Sequence, residues 1–207
     1  MAGVLTAEEW AAWEAAGRPV RYRRGEVLFH EGDRPDRVLA LREGQVKVAV
    51  TTPSGRELVL AVKGAGELLG ELAALDGRPR SATATAVEPV EALALAPSAF
   101  DAFLDEHPRL AVRLLRALAG QVRDSDDQQV ERGTGDVVTR VARRLSQLAA
   151  HSDRPELALT QDDLAAWVGA TREATNRALA ALRADGCIAT ERRRIVVLDV
   201  GRLGRFG

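Results

Sequence analysis

The sequence predicts an α+β protein: an N-terminal barrel or sandwich of short strands, then a long helix, then a helix-turn-helix with a hairpin wing. Between Arg21 and Leu95, short β-type runs alternate with glycine-bearing turns, the pattern of an antiparallel barrel or sandwich. From Pro97 onward apolar residues recur at helical spacing, three and four apart. Between Thr160 and Gly186 two helical patterns are separated by a glycine turn, as in a helix-turn-helix.

Taken in order, Thr6 stands three residues before Glu9, so hydroxyl and carboxylate can satisfy each other's backbone donors at the start of a helix. That helix is expected over 7–16, ended by Gly17, with Trp10 and Trp13 as core residues. Strands are expected over 27–30, 37–41, 45–51, 56–62, 82–87 and 90–95. Gly44 and Pro53-Ser54-Gly55 read as hairpin turns, where glycine accepts positive φ without a Cβ clash. A helix follows over 98–106, and another starts at Pro108, a residue suited to a first helical turn. In it Leu110, Leu114, Leu115, Leu118 and Val122 form one apolar stripe. Its partner is either the barrel or the same helix of a second subunit, and the length of the helix favours a homodimer. Gly133-Thr134-Gly135 then reads as a hinge, with Asp136 capping a helix over 137–150. Domains are accordingly expected at 1–107, 108–135 and 136–207.

With 207 residues and 46% apolar content, the chain can bury two small cores. No apolar run reaches the length of a membrane span, and the N-terminus lacks a secretory pattern; a cytoplasmic protein without membrane contact is expected. The one cysteine, Cys187, makes no internal disulfide and cannot alone hold a metal or iron–sulfur cluster; it reads as a buried apolar residue. His30, His107 and His151 are scattered, with no metal-ligand pair, P-loop or nucleophile motif, so neither an enzyme, a metal site nor a haem site is expected. Charge is uneven. Through Asp136 there are 17 Lys/Arg against 22 Asp/Glu, and beyond it 12 Arg against 8 Asp/Glu. A basic C-terminal segment suits a nucleic-acid partner.

In that segment Thr160 and Asp163 can cap a helix carrying Leu164, Trp167 and Val168 inward, Gly169-Ala170 breaks it, and Thr171 caps a second helix over 172–185. Ala178, Leu179 and Leu182 face inward and Gly186 closes the second helix. Arg172, Glu173, Asn176 and Arg177 fall on its outward face, where recognition helices meet base edges in the major groove. The alternative is that Glu173 and Arg177, four apart, are a surface ion pair. β-type runs over 187–190 and 195–198 flank Arg192-Arg193-Arg194, a wing whose arginines suit phosphate contact.

These motifs carry a resemblance. Gly25-Glu26-Val27-Leu28-Phe29 with Gly32 and Asp33, Gly70-Glu71-Leu72 followed by Arg80-Ser81-Ala82, and Thr171-Arg172-Glu173 through Arg177 resemble, over nearly the whole chain, the cAMP receptor protein and fumarate-nitrate regulator family of transcription factors. The resemblance implies an N-terminal cyclic-nucleotide-binding β-roll of jelly-roll type, a long dimerisation helix and a C-terminal winged helix-turn-helix. Residues 70–82 look like the family's phosphate-binding cassette, with Arg80 and Ser81 for the cyclic phosphate, Glu71 for the ribose hydroxyl, and Gly70 and Leu72 at the start of a short helix with free backbone donors. The alternative is a structural Glu71–Arg80 ion pair. Ser125 and Asp126 align with the family's adenine-selecting pair of hydroxyl residues on the long helix; Asp126 departs from it. So do the glycines of the 133–135 hinge and, in the recognition helix, Ala174 and Thr175.

By the same resemblance Thr160, Gln161 and Thr171 contact phosphate, the site on double-stranded DNA is a palindrome with half-sites like TGTGA, and the loop 151–156 meets RNA polymerase. The implied ligand is cAMP. Regulation without a ligand, or by a different small molecule, stays open, and hydrolysis of a cyclic nucleotide is the most remote alternative.

Overall fold

In the computed structural model, residues 4–53, 55, 57–134, 136–150, 156–191 and 194–206 are described, those at 124–134, 148 and 150 by their backbone alone. The chain divides into two compact units, residues 2–50 with 60–121, and residues 122–207 with 51–59.

The first helix, α1 (Ala7–Ala16), starts from the expected capping box: the Thr6 hydroxyl accepts from the Glu9 amide and the Glu9 carboxylate from the Thr6 amide. Seven strands, β1 (Arg18–Tyr22), β2 (Val27–Phe29), β3 (Val38–Glu43), β4 (Val46–Thr51), β5 (Glu57–Lys63), β6 (Leu68–Leu69) and β7 (Thr83–Ala86), precede β8 (Val90–Leu95), with the short helix α2 (Glu71–Asp76) after β6. They form two four-stranded sheets, in the orders β1-β8-β3-β6 and β2-β7-β4-β5. Residues of both meet in one core containing Leu28, Phe29, Leu39, Leu41, Val46, Ala84 and Ala92.

The first sheet is buried on both faces. Leu39 and Leu41 of β3 point into that core, while Val38 and Ala40 join Trp13, Phe100, Phe103, Leu110 and Leu114 in a second, as the two-residue alternation of a strand requires. This second core holds α1, α3 (Pro97–Glu106) and the start of α4 (Pro108–Thr134) against the sheet. The expected stripe on α4 therefore splits: Leu110 and Leu114 are buried, whereas Leu115 and Val122 are 65% and 61% exposed. Exposed Val112, Leu115, Ala119 and Val122 follow a three-four-three spacing, that of a coiled-coil seam.

Some elements differ from expectation. Strand β1 was hidden by Pro19 and its arginines; it lies at the edge of its sheet, where a missing ladder donor is tolerated. The helix α4 runs on through Gly133 and Thr134, so that part of the expected hinge is helical; a glycine costs a helix only about 1 kcal/mol. Gly135 lies outside the described residues.

The second unit contains α5 (Val137–Ala150), β9 (Glu156–Leu157), α6 (Gln161–Val168), α7 (Arg172–Ala184), β10 (Ile188–Glu191), β11 (Arg194–Val197) and α8 (Val200–Leu203). The sheet order is β10-β11-β9, antiparallel throughout. Val141 and Leu145 of α5, Leu164 and Trp167 of α6, Leu179 and Leu182 of α7, and Cys187, Ile188 and Ile195 are buried. The two-residue strand β9 and four-residue α8 are too short to leave a periodic signal.

Candidate functional site

The cassette is built on a left-handed glycine. Gly70 has φ +83° and precedes α2, a conformation that costs other residues a Cβ clash. Ten residues on, Arg80 is 3% exposed. Its Nη1 donates to the Gly70 carbonyl at 2.9 Å and its Nη2 to the Arg37 carbonyl at 2.6 Å. Nη2 also faces Asp36 Oδ1 at 3.2 Å, and the guanidinium carbon stands 4.3 Å from the centre of the Phe29 ring, within cation–π range. Nε finds no acceptor. The Arg80 backbone donates to the Asp33 carbonyl and accepts from the Gly32 amide, both at 2.8 Å, which gives the Gly32-Asp33 turn its place in the cassette.

Asp36 is shared between two arginines, its other oxygen lying 2.7 Å from Arg37. Burial pushes its carboxyl up, but the bonds from Arg37 and Arg80 outweigh that and hold it below the usual value. Glu71 is buried and is pushed up by that burial, against the opposing charge of Lys63. Lys63 itself pairs with Glu67 at 3.1 Å. Glu71 and Arg80 form no ion pair among the described residues; the carboxylate on Arg80 is Asp36. Ser81 and Leu72 are exposed. The side chains of Ser125 and Asp126 lie outside the described residues. Asp36, Arg37 and Lys63 were missed in the sequence, since nothing in chain order ties residues 36 and 37 to residue 80.

In the second unit, the Thr160 hydroxyl accepts from the Asp163 amide at 3.1 Å and donates to its carboxylate at 2.6 Å. Gly169, at φ +64°, ends α6, and the Thr171 hydroxyl accepts from the Ala174 amide at the start of α7. Thr171, Arg172, Glu173, Arg177 and Gln161 are exposed and Asn176 is half-buried, its Oδ1 without a partner. Glu173 and Arg177 form no ion pair among the described residues. Arg172 instead meets Asp162 of α6 at 3.3 Å. Arg192 and Arg193, and the loop residues 151–155, lie outside the described residues. In the wing, Arg194 pairs with Glu156 at 2.8 Å and Arg183 donates to Thr190 at 3.0 Å. No group of metal ligands occurs among the described residues, and none of their helices is long and apolar enough to cross a membrane.

A two-sheet domain with a buried arginine in its cassette, on one chain with a winged helix-turn-helix, defines a DNA-binding regulator. Residues 19–107 match the cyclic nucleotide-binding domain and residues 139–206 the Crp-like helix-turn-helix domain. The chain is 34% identical over 195 residues to the CRP-like cAMP-activated global transcriptional regulator of Mycobacterium tuberculosis, covering 91% of this chain and 87% of that protein. It is also 34% identical over 167 residues to the cyclic AMP receptor protein of Thermus thermophilus, covering 81% of this chain and 77% of that protein. The structure of FixK2 from Bradyrhizobium japonicum, at 22% identity, shares the fold with a TM-score of 0.77 over 92% of this chain and 96% of that one. The chain belongs to the CRP/FNR family of transcription regulators.

Proposed function

We propose that the protein is a homodimeric regulator whose affinity for a palindromic DNA site is raised by a cyclic nucleotide, cAMP before others, bound in the cassette. The observation that carries this is the Arg80 guanidinium, buried with its Nε unpartnered. A buried donor without an acceptor costs about 1–3 kcal/mol, and a phosphate oxygen would relieve it. Gly70, Glu71, Leu72, Arg80 and Ser81 would hold the cyclic phosphate and ribose, with Ser125 and Asp126 at the base. Two M. tuberculosis and T. thermophilus relatives carry cAMP in their names, which favours that ligand.

On the DNA side Arg172, Glu173, Asn176 and Arg177 would read bases, while Thr160, Gln161, Thr171, Arg192 and Arg193 would contact phosphate. The exposed seam on α4 would join two subunits. Two recognition helices about 34 Å apart would then meet successive major-groove faces. Domains at 1–107, 108–135 and 136–207, a cytoplasmic location, contact with RNA polymerase and the lack of a catalytic activity complete this reading.

Nucleotide acts here by its unequal affinity for two conformations of the dimer. Calorimetric titration of nucleotide-free protein with cAMP, and separately with cGMP, tests the cassette: binding lost in Arg80→Ala supports it, and absence of binding to wild type sinks it. A second reading has one observation in its favour: both Nη groups of Arg80 are already satisfied by the protein. Under it Arg80 is structural and DNA binding needs no ligand. Full DNA affinity in nucleotide-free protein would select it.

A further inference from the structure

Among the four outward residues of α7, Arg172 is the one whose side chain enters an ion pair among the described residues, and its partner is Asp162 on α6, not a neighbour on its own helix. Both side chains remain mostly exposed, at 59% and 66%, so a duplex docked on this face reaches them. They line, with Thr190, Glu191 and Arg194 of the wing, a cleft of about 420 Å³ on the second unit.

An acid on a DNA-facing surface opposes phosphate binding, so its presence there calls for a compensating role. The chemistry of the pair supplies one. Arginine presents five N–H groups in a rigid fork. Asp162 takes Nη1, which leaves Nη2 and Nε free for the O6 and N7 acceptors of guanine. Holding the long side chain before DNA arrives also removes part of the rotamer entropy that contact would otherwise cost. We infer that Asp162 is a positioning residue that aims Arg172 at guanine and thereby sharpens base discrimination. This rests on Arg172 reading a base. The competing role is local: Asp162 lies in the first turn of α6, where a carboxylate favours the helix dipole.

The test is selection of full-length protein, with cAMP present, on a pool of randomised duplexes, followed by affinity measurements on the selected duplex and its single-base variants. Arg172→Ala identifies the guanine that Arg172 reads, the position at which its preference disappears. Asp162→Asn is expected to lower discrimination at that guanine by about two- to fivefold, the worth of an exposed ion pair, leave other positions unchanged, and keep or raise affinity for a scrambled duplex. Asp162→Glu is expected to restore the preference. Unchanged discrimination in Asp162→Asn, or an equal loss at every position, overturns the positioning role and leaves Arg172 as a reader. If wild type enriches no sequence, or Arg172→Ala removes no preference, the base-reading assignment falls and the inference with it.

Discussion

A Cβ placed on Gly70 would stand 2.3 Å from Nη1 of Arg80. The glycine is thus required twice, by its positive φ and by the arginine packed against its missing side chain. Gly70→Ala is expected to lose about 1–2 kcal/mol of stability from the left-handed backbone and to push Arg80 off the Gly70 carbonyl. In calorimetry its cAMP affinity should fall toward that of Arg80→Ala, and chemical denaturation should show the protein still folded.

Glu9 and Arg113 tie α1 to α4. The guanidinium contacts both carboxylate oxygens of Glu9 and donates through Nε to the Val4 carbonyl at 2.8 Å. Burial raises the Glu9 pKa, but bonds from the Thr6 amide, Arg113 and the Thr6 hydroxyl outweigh it and hold the carboxyl below its ordinary value of 4.5. The native state therefore favours the ionised form. Its stabilisation is fully present above 4.5 and is lost as pH falls through the lower native value. Arg113→Ala should cost more than the ~1 kcal/mol of an exposed pair and less than the ~3–5 kcal/mol of a fully buried one, and should flatten the acid limb of stability against pH measured by urea denaturation.

Glu71 has the opposite sign. Burial raises its pKa above 4.5, so the native state favours the protonated form, and the stability this gives is present at low pH and lost as pH rises through the raised value. In the proposed cassette a ribose hydroxyl would donate to the ionised Glu71 carboxylate. cAMP affinity should therefore fall with acidification before an ordinary carboxylate would titrate, and Glu71→Gln should bind more weakly with that pH dependence removed. Calorimetric titrations across the acid range check both.

In the proposed dimer, one face of α4 belongs to the core of its own subunit and the other to the subunit interface. Leu110 is fully buried, and Leu110→Ala should cost about 2–5 kcal/mol of stability. Leu115 is exposed; burying a leucine is worth about 1.5–3 kcal/mol, so Leu115→Glu should weaken the dimer by at least about tenfold with little effect on the fold of each subunit. Sedimentation equilibrium distinguishes the two.

Legibility in the sequence followed the range of the interactions. Both helix caps at Thr6 and Thr160, the helix-turn-helix and its glycine turn are local in chain order, and each stands where spacing placed it. The split of the α4 stripe was not legible: Leu114 and Leu115 are adjacent in sequence, and only packing against Phe100 and Phe103 decides that the first turns inward. Arg80 stands out through the resemblance, and nearness in sequence offers Glu71, nine residues away, as the alternative ion-pair partner, whereas Asp36 meets it across the fold. Arg172 was recognised as outward-facing, while its partner Asp162 lies on the preceding helix and carries no periodic signal of its own.

The coupling of nucleotide to DNA is tested most directly by fluorescence anisotropy of the pool-selected duplex with nucleotide-free protein at fixed salt, with and without saturating cAMP. Gating through the cassette requires cAMP to tighten DNA binding by about five- to 150-fold, the range of a coupling free energy of 1–3 kcal/mol, and Arg80→Ala to abolish the difference. Equal DNA affinity with and without cAMP would contradict it.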